Sequence, residues 1–141
     1  MVSRRLVTAK LAELDDRVAR VQAHRRATAE LLRDDRDALD LVGFNLMLAV
    51  QSCADVASHI IADEGWRAPS SLSDGFDRLR DHGVIQPSTA QALRRAVGLR
   101  NVIAHGYAGV DPEAVHAAST QGLTELDAFA REVARWMATL P

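Results

Sequence analysis

The chain is poor in lysine, cysteine and aromatic residues, and it has no excess of positive charge. Lys10 is the only lysine among 17 basic residues, so nearly every cation is an arginine. The formal net charge of −2 excludes a global basic field that would attract nucleic acid, and any RNA site must therefore be a local patch. The arginine excess fits either a GC-rich genome or bidentate phosphate contacts.

The single cysteine, Cys53, excludes an intrachain disulfide and lies in an apolar helical pattern. We therefore expect a buried thiol and a cytoplasmic protein. The N-terminus lacks the apolar run of a signal peptide, and we predict no membrane-spanning segment and no membrane partner. The length of 141 residues predicts one domain, residues 1–141.

Apolar residues recur at helical spacing along most of the chain, and no long stretch alternates as a strand would. Long helices are predicted at residues 3–25, 35–63, 87–105 and from 111 to about 136. A short helix is predicted at 73–82, and a short helix or a turn at 26–33. Short connections place successive helices antiparallel. The sequence therefore predicts an all-α, up-and-down four-helix bundle with one or two additional short helices.

Residues suited to helix ends support these boundaries. The predicted N-caps are Thr28, Asp34 or Asp35, a capping box of Ser88 with Gln91, and Asp111 before Pro112. Gly83 and Gly106 suit the left-handed position that closes a helix.

Three polar residues form a stripe at four-residue spacing on the second long helix. They are Gln51, Asp55 and His59. Asp55 and His59 could each ligate a metal, but two ligands do not make a site, and we expect neither a metal nor a cofactor. A polar face toward a cleft is the preferred interpretation, with Asp55 a candidate substrate-binding residue.

The end of the third long helix sets four polar residues into an apolar segment: Arg100, Asn101, His105 and Tyr107. Asn101 and His105 are four residues apart and share a face. Arg100 lies about 140° round the helix from His105, but its long side chain can swing toward the last turn. A plain structural interpretation stays open, because Arg and His both offset the helix dipole and Tyr often anchors packing.

The segment R-N-V-I-A-H-G-Y, residues 100–107, resembles in full the R-x4-H-x-Y signature of the HEPN superfamily, specifically its HepT-like toxin branch. Residues 44–59 and 69–85 also resemble the second helix and the middle region of that family. The resemblance covers about residues 30–135. It implies the same helical bundle and a homodimer whose two motif helices face each other across the two-fold axis.

The resemblance also implies a toxin that cleaves RNA without a metal ion, and no action on DNA. Arg100 would stabilise the phosphorane charge, and His105 would serve as base or acid. Asn101 would hydrogen-bond the phosphate or orient His105. Arg94 and Arg95 precede this motif and form either a phosphate-binding patch or a solvated face.

The family pairs each toxin with a small nucleotidyltransferase antitoxin of the MNT type. The partner attaches AMP to the motif tyrosine, which corresponds to Tyr107. The added charge and bulk would block the RNA phosphate. Two alternatives stay open: a non-catalytic module that dimerises and binds RNA or the nucleotidyltransferase, and a structural dimer whose Arg and His make interface hydrogen bonds.

Overall fold

The computed structural model describes residues 2–106 and 109–141, and no strand occurs in these two ranges. Its helices are α1 (Arg4–His24), α2 (Ala29–Asp34), α3 (Arg36–Glu64), α4 (Leu72–Asp81), α5 (Pro87–His105), α6 (Pro112–Ser119) and α7 (Gln121–Ala138). The predicted all-α class is confirmed.

The long helices α1, α3, α5 and α7 form a ring in which each one packs against the next. The register between α1 and α3 shows that these two helices are antiparallel. Lys10 contacts Asp55, whereas Arg17, further along α1, contacts Asn45, which comes earlier in α3. Helix α3 contacts each of the other six helices.

One hydrophobic cluster extends from Val2 to Met137. The apolar seam predicted on the second long helix is buried in it. Its members are Leu39, Gly43, Leu46, Val50, Cys53, Ala57 and Ile60. Burial of Cys53 raises the pKa of its thiol far above the usual range, so this cysteine is an inert core residue, as expected.

Phe129 is completely buried and packs edge-on against Phe76, with ring centroids 5.8 Å apart. Phe129→Ala should lower the free energy of unfolding by about 3–5 kcal/mol, because it removes apolar contacts and leaves a cavity between α4 and α7. Leu31→Ala, at a leucine that is 54% exposed, is the matched control and should change stability by less than about 0.5 kcal/mol. Urea unfolding measures both, and equal losses would contradict this core assignment.

The N-caps Thr28 and Asp35 are confirmed, since each side chain accepts a hydrogen bond from a backbone N–H of the following turn. The capping box of Ser88 with Gln91 is wrong. Helix α5 begins after Gln86 with no side-chain cap of its own. Glu132 of α7 replaces it, because its carboxylate accepts from the Gln86 N–H at 2.7 Å and from the Thr89 hydroxyl at 2.8 Å.

The last predicted helix is divided in two at Thr120, so the described part of the chain has three short helices rather than one or two. The backbone of Thr120 leaves the helical region, with φ −114° and ψ −88°. The hydroxyls of Ser119 and Thr120 both donate to the His116 carbonyl, and Arg25, the residue that follows α1, donates to the Ser119 carbonyl. These bonds compete with continuation of the helix.

The two glycines predicted to close helices, Gly83 and Gly106, differ in backbone conformation. Gly83 follows α4 with φ +75°, the left-handed conformation that the sequence predicts. Gly106 closes α5 but has φ 173° and ψ 113°, so the left-handed prediction is wrong there and the chain leaves the helix extended. Its N–H still bonds the Val102 carbonyl at 3.2 Å.

We predicted no membrane-spanning segment, but one helix is long and apolar enough to cross a membrane when only its length and composition are considered. Helix α3, Arg36–Glu64, contains an 18-residue window with a mean hydropathy of 1.3. Of that window, 61% is buried inside the bundle. A helix surrounded by other helices must be apolar on most of its faces, and this explains why a core helix reaches the length and mean hydropathy of a membrane-spanning one.

Candidate active site at the end of helix α5

Arg100 lies half-buried near the end of α5, and neutral groups hold its guanidinium. One terminal nitrogen, Nη2, donates to Oε1 of Gln51 on α3 at 3.1 Å. The other, Nη1, donates to Oδ1 of Asn101 at 3.1 Å. Its Nε is buried and has no hydrogen-bond partner among residues 2–106 and 109–141. Within residues 2–106 and 109–141, two of its five N–H donors are used, and both acceptors are amide oxygens.

The other two candidate arginines of α5 have acidic partners on other helices. Arg94 pairs with Asp77 of α4, and Arg95 pairs with Glu125 of α7 at 3.1 Å. The structure therefore does not bring these two side chains together with Arg100. Their part in substrate binding stays a prediction. For Arg100, by contrast, no carboxylate lies within 4.0 Å in the described part of the chain.

Gln51 links Arg100 to a charged pair formed by Asp55, one turn further along α3, and Lys10 of α1. Its Nε2 donates to Oδ1 of Asp55 at 3.1 Å, and Nζ of Lys10 lies 3.4 Å from Oδ2 of the same carboxylate. Lys10 also donates to Glu13 at 3.3 Å. That hydrogen bond, followed by the negative charges of Glu13 and Asp55, raises the pKa of Lys10 and keeps it protonated.

His59, the third residue of the predicted stripe, is not part of this network. Its Nε2 lies 3.0 Å from Oδ2 of Asp63, one turn further along α3. Asp55 and His59 therefore contact different partners and do not converge. Over residues 2–106 and 109–141, no three His, Cys, Asp or Glu side chains are grouped so as to hold a metal ion.

His105 is the last residue of α5, and its side chain is exposed. Asn101 is exposed one turn earlier, and its amide oxygen contacts Arg100. Tyr107, the predicted site of modification, lies outside the described residues.

An open cavity of about 510 Å³ lies between α1 and α3, directly beside this network. Gln51 and Asp55 form part of its wall, together with Glu13, Asp16 and Arg17 of α1. The exposed face of α3 continues from Gln51 toward the N-terminus of that helix as apolar surface, since Phe44 is 50% exposed and Leu41 is 42% exposed. The site therefore combines a polar end and an apolar end on one side of the bundle.

A sequence model of the Ribonuclease HepT-like family matches residues 14–133, which is most of the chain and includes Arg100, Asn101 and His105. This chain belongs to that family. The resemblance stated from the motif is therefore confirmed.

Two curated relatives are nucleases by name. The mRNA nuclease HepT of Shewanella oneidensis is 32% identical over 75 residues, which is 53% of this chain and 56% of the relative. The tRNA nuclease HepT of Aphanizomenon flos-aquae is 25% identical over 95 residues, 67% of this chain and 65% of the relative. The matched region thus spans little more than half the length of the Shewanella relative.

Solved structures share the fold. The Shewanella oneidensis HEPN toxin, described as tri-AMPylated and in complex with an MNT antitoxin, superposes with a TM-score of 0.87 at 23% identity, covering 94% of this chain and 99% of that one. The Bacillus subtilis cytosolic protein YutE superposes with a TM-score of 0.84 at 17% identity, covering 98% and 92%. At these identities the likeness concerns the fold alone.

Proposed function

We propose that this HepT-like chain is a cytoplasmic toxin that cleaves RNA without a metal ion. The observation that carries the proposal is the guanidinium of Arg100, held by neutral oxygens at the helix end where His105 is exposed. A cation without an acidic partner keeps its full charge for a phosphate. Family membership and the nuclease names of the relatives support the same chemistry.

The proposed reaction is attack of a ribose 2′-oxygen on the adjacent phosphorus. The 2′-hydroxyl gives its proton to a neutral imidazole, the P–O5′ bond breaks, and a protonated imidazole gives its proton to the leaving oxygen. Arg100 stabilises the charge that develops on the phosphorane oxygens. The products are a 2′,3′-cyclic phosphate and a 5′-hydroxyl end, so atoms and charges balance.

This reaction needs an acid and a base, and each chain supplies one motif histidine, His105. We therefore propose a homodimer in which two copies of α5 face each other, so that one imidazole acts as base and the other as acid. Exposed apolar side chains next to the motif support this arrangement. Val102 of α5 is 44% exposed, and Phe44 of α3 is 50% exposed.

Light scattering at micromolar concentration should report about twice the chain mass of 15.4 kDa. Val102→Glu should shift the protein toward the monomer, because it places a charge in the apolar contact. Leu6→Glu, at an exposed leucine of α1, is the matched control and should leave the dimer intact. A folded monomer at these concentrations would contradict the two-chain site.

We further propose that a nucleotidyltransferase antitoxin neutralises the toxin by attaching AMP to Tyr107. In the sequence, the tyrosine is two residues beyond His105, and His105 is exposed at the end of α5. AMP there would add negative charge and bulk where the RNA phosphate must lie. The antitoxin would have to dock over this end of the bundle to deliver ATP.

An RNA cleavage assay on the purified chain in EDTA tests the proposal. Wild-type protein should cleave, and His105→Ala should lose about 10²–10⁴-fold in rate, since a catalytic acid or base contributes that much. His24→Ala is the control histidine. A wild-type chain that binds RNA or the nucleotidyltransferase but does not cleave RNA would favour the alternative, a non-catalytic binding module. The net charge of −2 supports that alternative, because it provides no general attraction for RNA.

A further inference from the structure

We propose that Gln51 is a positioning residue, which holds the guanidinium of Arg100 for the phosphate without neutralising it. This inference rests on the proposed function, because it assigns Gln51 a part in the same reaction. Gln51 lies on α3, 49 residues before Arg100, and its side chain is half-buried beneath the motif helix.

The amide of Gln51 fits between its two neighbours in only one orientation. Arg100 can only donate hydrogen bonds, and ionised Asp55 can only accept them. The Gln51 oxygen must therefore face Arg100, and its nitrogen must face Asp55, as the two 3.1 Å contacts show. Asp55 thus fixes the direction of the amide, and the amide fixes the position of the guanidinium.

Charge explains why an amide suits this position. Nζ of Lys10, which Asp55 shares with Glu13, lies 3.4 Å from the Asp55 carboxylate and offsets part of its charge. Gln51 then transmits the orienting effect of Asp55 to Arg100 through a neutral group. A glutamate in its place would form an ion pair with Arg100 and neutralise the positive charge that stabilises the phosphorane.

Order explains the gain in rate. A free arginine side chain would lose rotamer entropy when it contacts the phosphorane of the transition state. Contacts with Gln51 and Asn101 fix Arg100 in the folded protein, so this loss occurs before the substrate binds. Asn101 is exposed at the rim of the site, whereas Gln51 reaches Arg100 from the adjacent helix and ties it to α3.

The test uses Gln51→Met and Gln51→Glu in the full-length chain, each with and without Arg100→Ala. Gln51→Met keeps the volume and should lower kcat about 10- to 100-fold with little change in KM, the loss expected for one hydrogen bond to a charged group. Gln51→Glu keeps a hydrogen-bond acceptor and should also lower kcat at least about 10-fold, because it neutralises Arg100. In the Arg100→Ala background, neither Gln51 substitution should lower kcat by more than about a further 2-fold.

Ser52→Ala is the matched control, since Ser52 is buried next to Gln51 and donates only to the Leu48 carbonyl of its own helix. Thermal unfolding confirms that each variant is folded. Wild-type kcat in Gln51→Met would overturn the positioning role, and wild-type kcat in Gln51→Glu would overturn the need for a neutral group. If the Gln51 substitutions lowered kcat as much in the Arg100→Ala background as in the wild type, the inference would also be overturned, because Gln51 would then act independently of Arg100.

Side-chain ¹⁵N NMR of Arg100 separates this inference from the proposed nuclease activity. The Nη groups should rotate slowly in the wild type and faster in Gln51→Met, whether or not RNA is cleaved. Slow rotation without cleavage by the wild type would overturn the nuclease and leave the positioning contact standing. Equal rotation in the two proteins would overturn the positioning contact even if the wild type cleaves RNA.

Discussion

Arg100→Ala should lower RNA cleavage by about 10²–10³-fold while leaving the bundle folded. The magnitude is that of one preorganised group that stabilises charge in a transition state. The fold should survive because the side chain is only half-buried and contacts two amide groups rather than the core. Initial cleavage rates measure the effect, and growth of cells that express the variant should recover in parallel.

Arg100→Lys should restore little of this activity, since an ammonium cannot make the paired contacts of a planar guanidinium. Arg131→Ala is the control, because Arg131 pairs with Asp127 within α7, away from the motif. A lysine variant with wild-type rate would mean that position 100 needs only a positive charge. An alanine variant with wild-type rate would make Arg100 a structural residue at a helix end.

Tyr107→Phe should abolish modification by the nucleotidyltransferase and leave the toxin active against the cell. Co-expression of the wild type with the partner should add one or more AMP units to the intact mass, each about 329 Da, and the charge they carry should block RNA. The phenylalanine variant has no hydroxyl to accept AMP, so its mass should stay unchanged. Intact-mass spectrometry and a growth assay measure these two results.

His105→Ala serves as the control for that experiment, because it removes cleavage but keeps the tyrosine hydroxyl and should still gain AMP. If the antitoxin neutralised Tyr107→Phe as well as the wild type, it would act by steric capping alone. If AMP were added to the phenylalanine variant, the modified hydroxyl would belong to another residue. Either result would refute the assignment of Tyr107.

Helix positions could be predicted where the information is local. The apolar seam of α3 and the caps Thr28 and Asp35 depend on residues within one or two turns, and the structure has them as predicted. The start of α5 at residue 87 was predicted correctly, but its capping group could not be, because that group is Glu132 from a distant helix. The break at Thr120 depends partly on Arg25, which follows α1 and leaves no periodic signal near residue 120.

The candidate site likewise has a part that the local sequence predicts and a part that depends on how the helices pack. Arg100, Asn101 and His105 could be assigned to one helix end because their spacing is short and their motif is specific. The contact of Gln51 with Arg100 depends on the register between α3 and α5, and no local pattern specifies that register. The signal that was available was the four-residue spacing of Gln51 and Asp55, which predicted a polar face on α3.

The most direct test of the nuclease account is cleavage of an RNA oligonucleotide and its 2′-O-methyl counterpart by the purified dimer in EDTA. The account predicts that the RNA is cut, that the new 3′ end carries a 2′,3′-cyclic phosphate, and that the methylated strand stays intact, because its 2′-oxygen has no proton to give to His105. Cleavage of the methylated strand, or cleavage that EDTA abolishes, would contradict it.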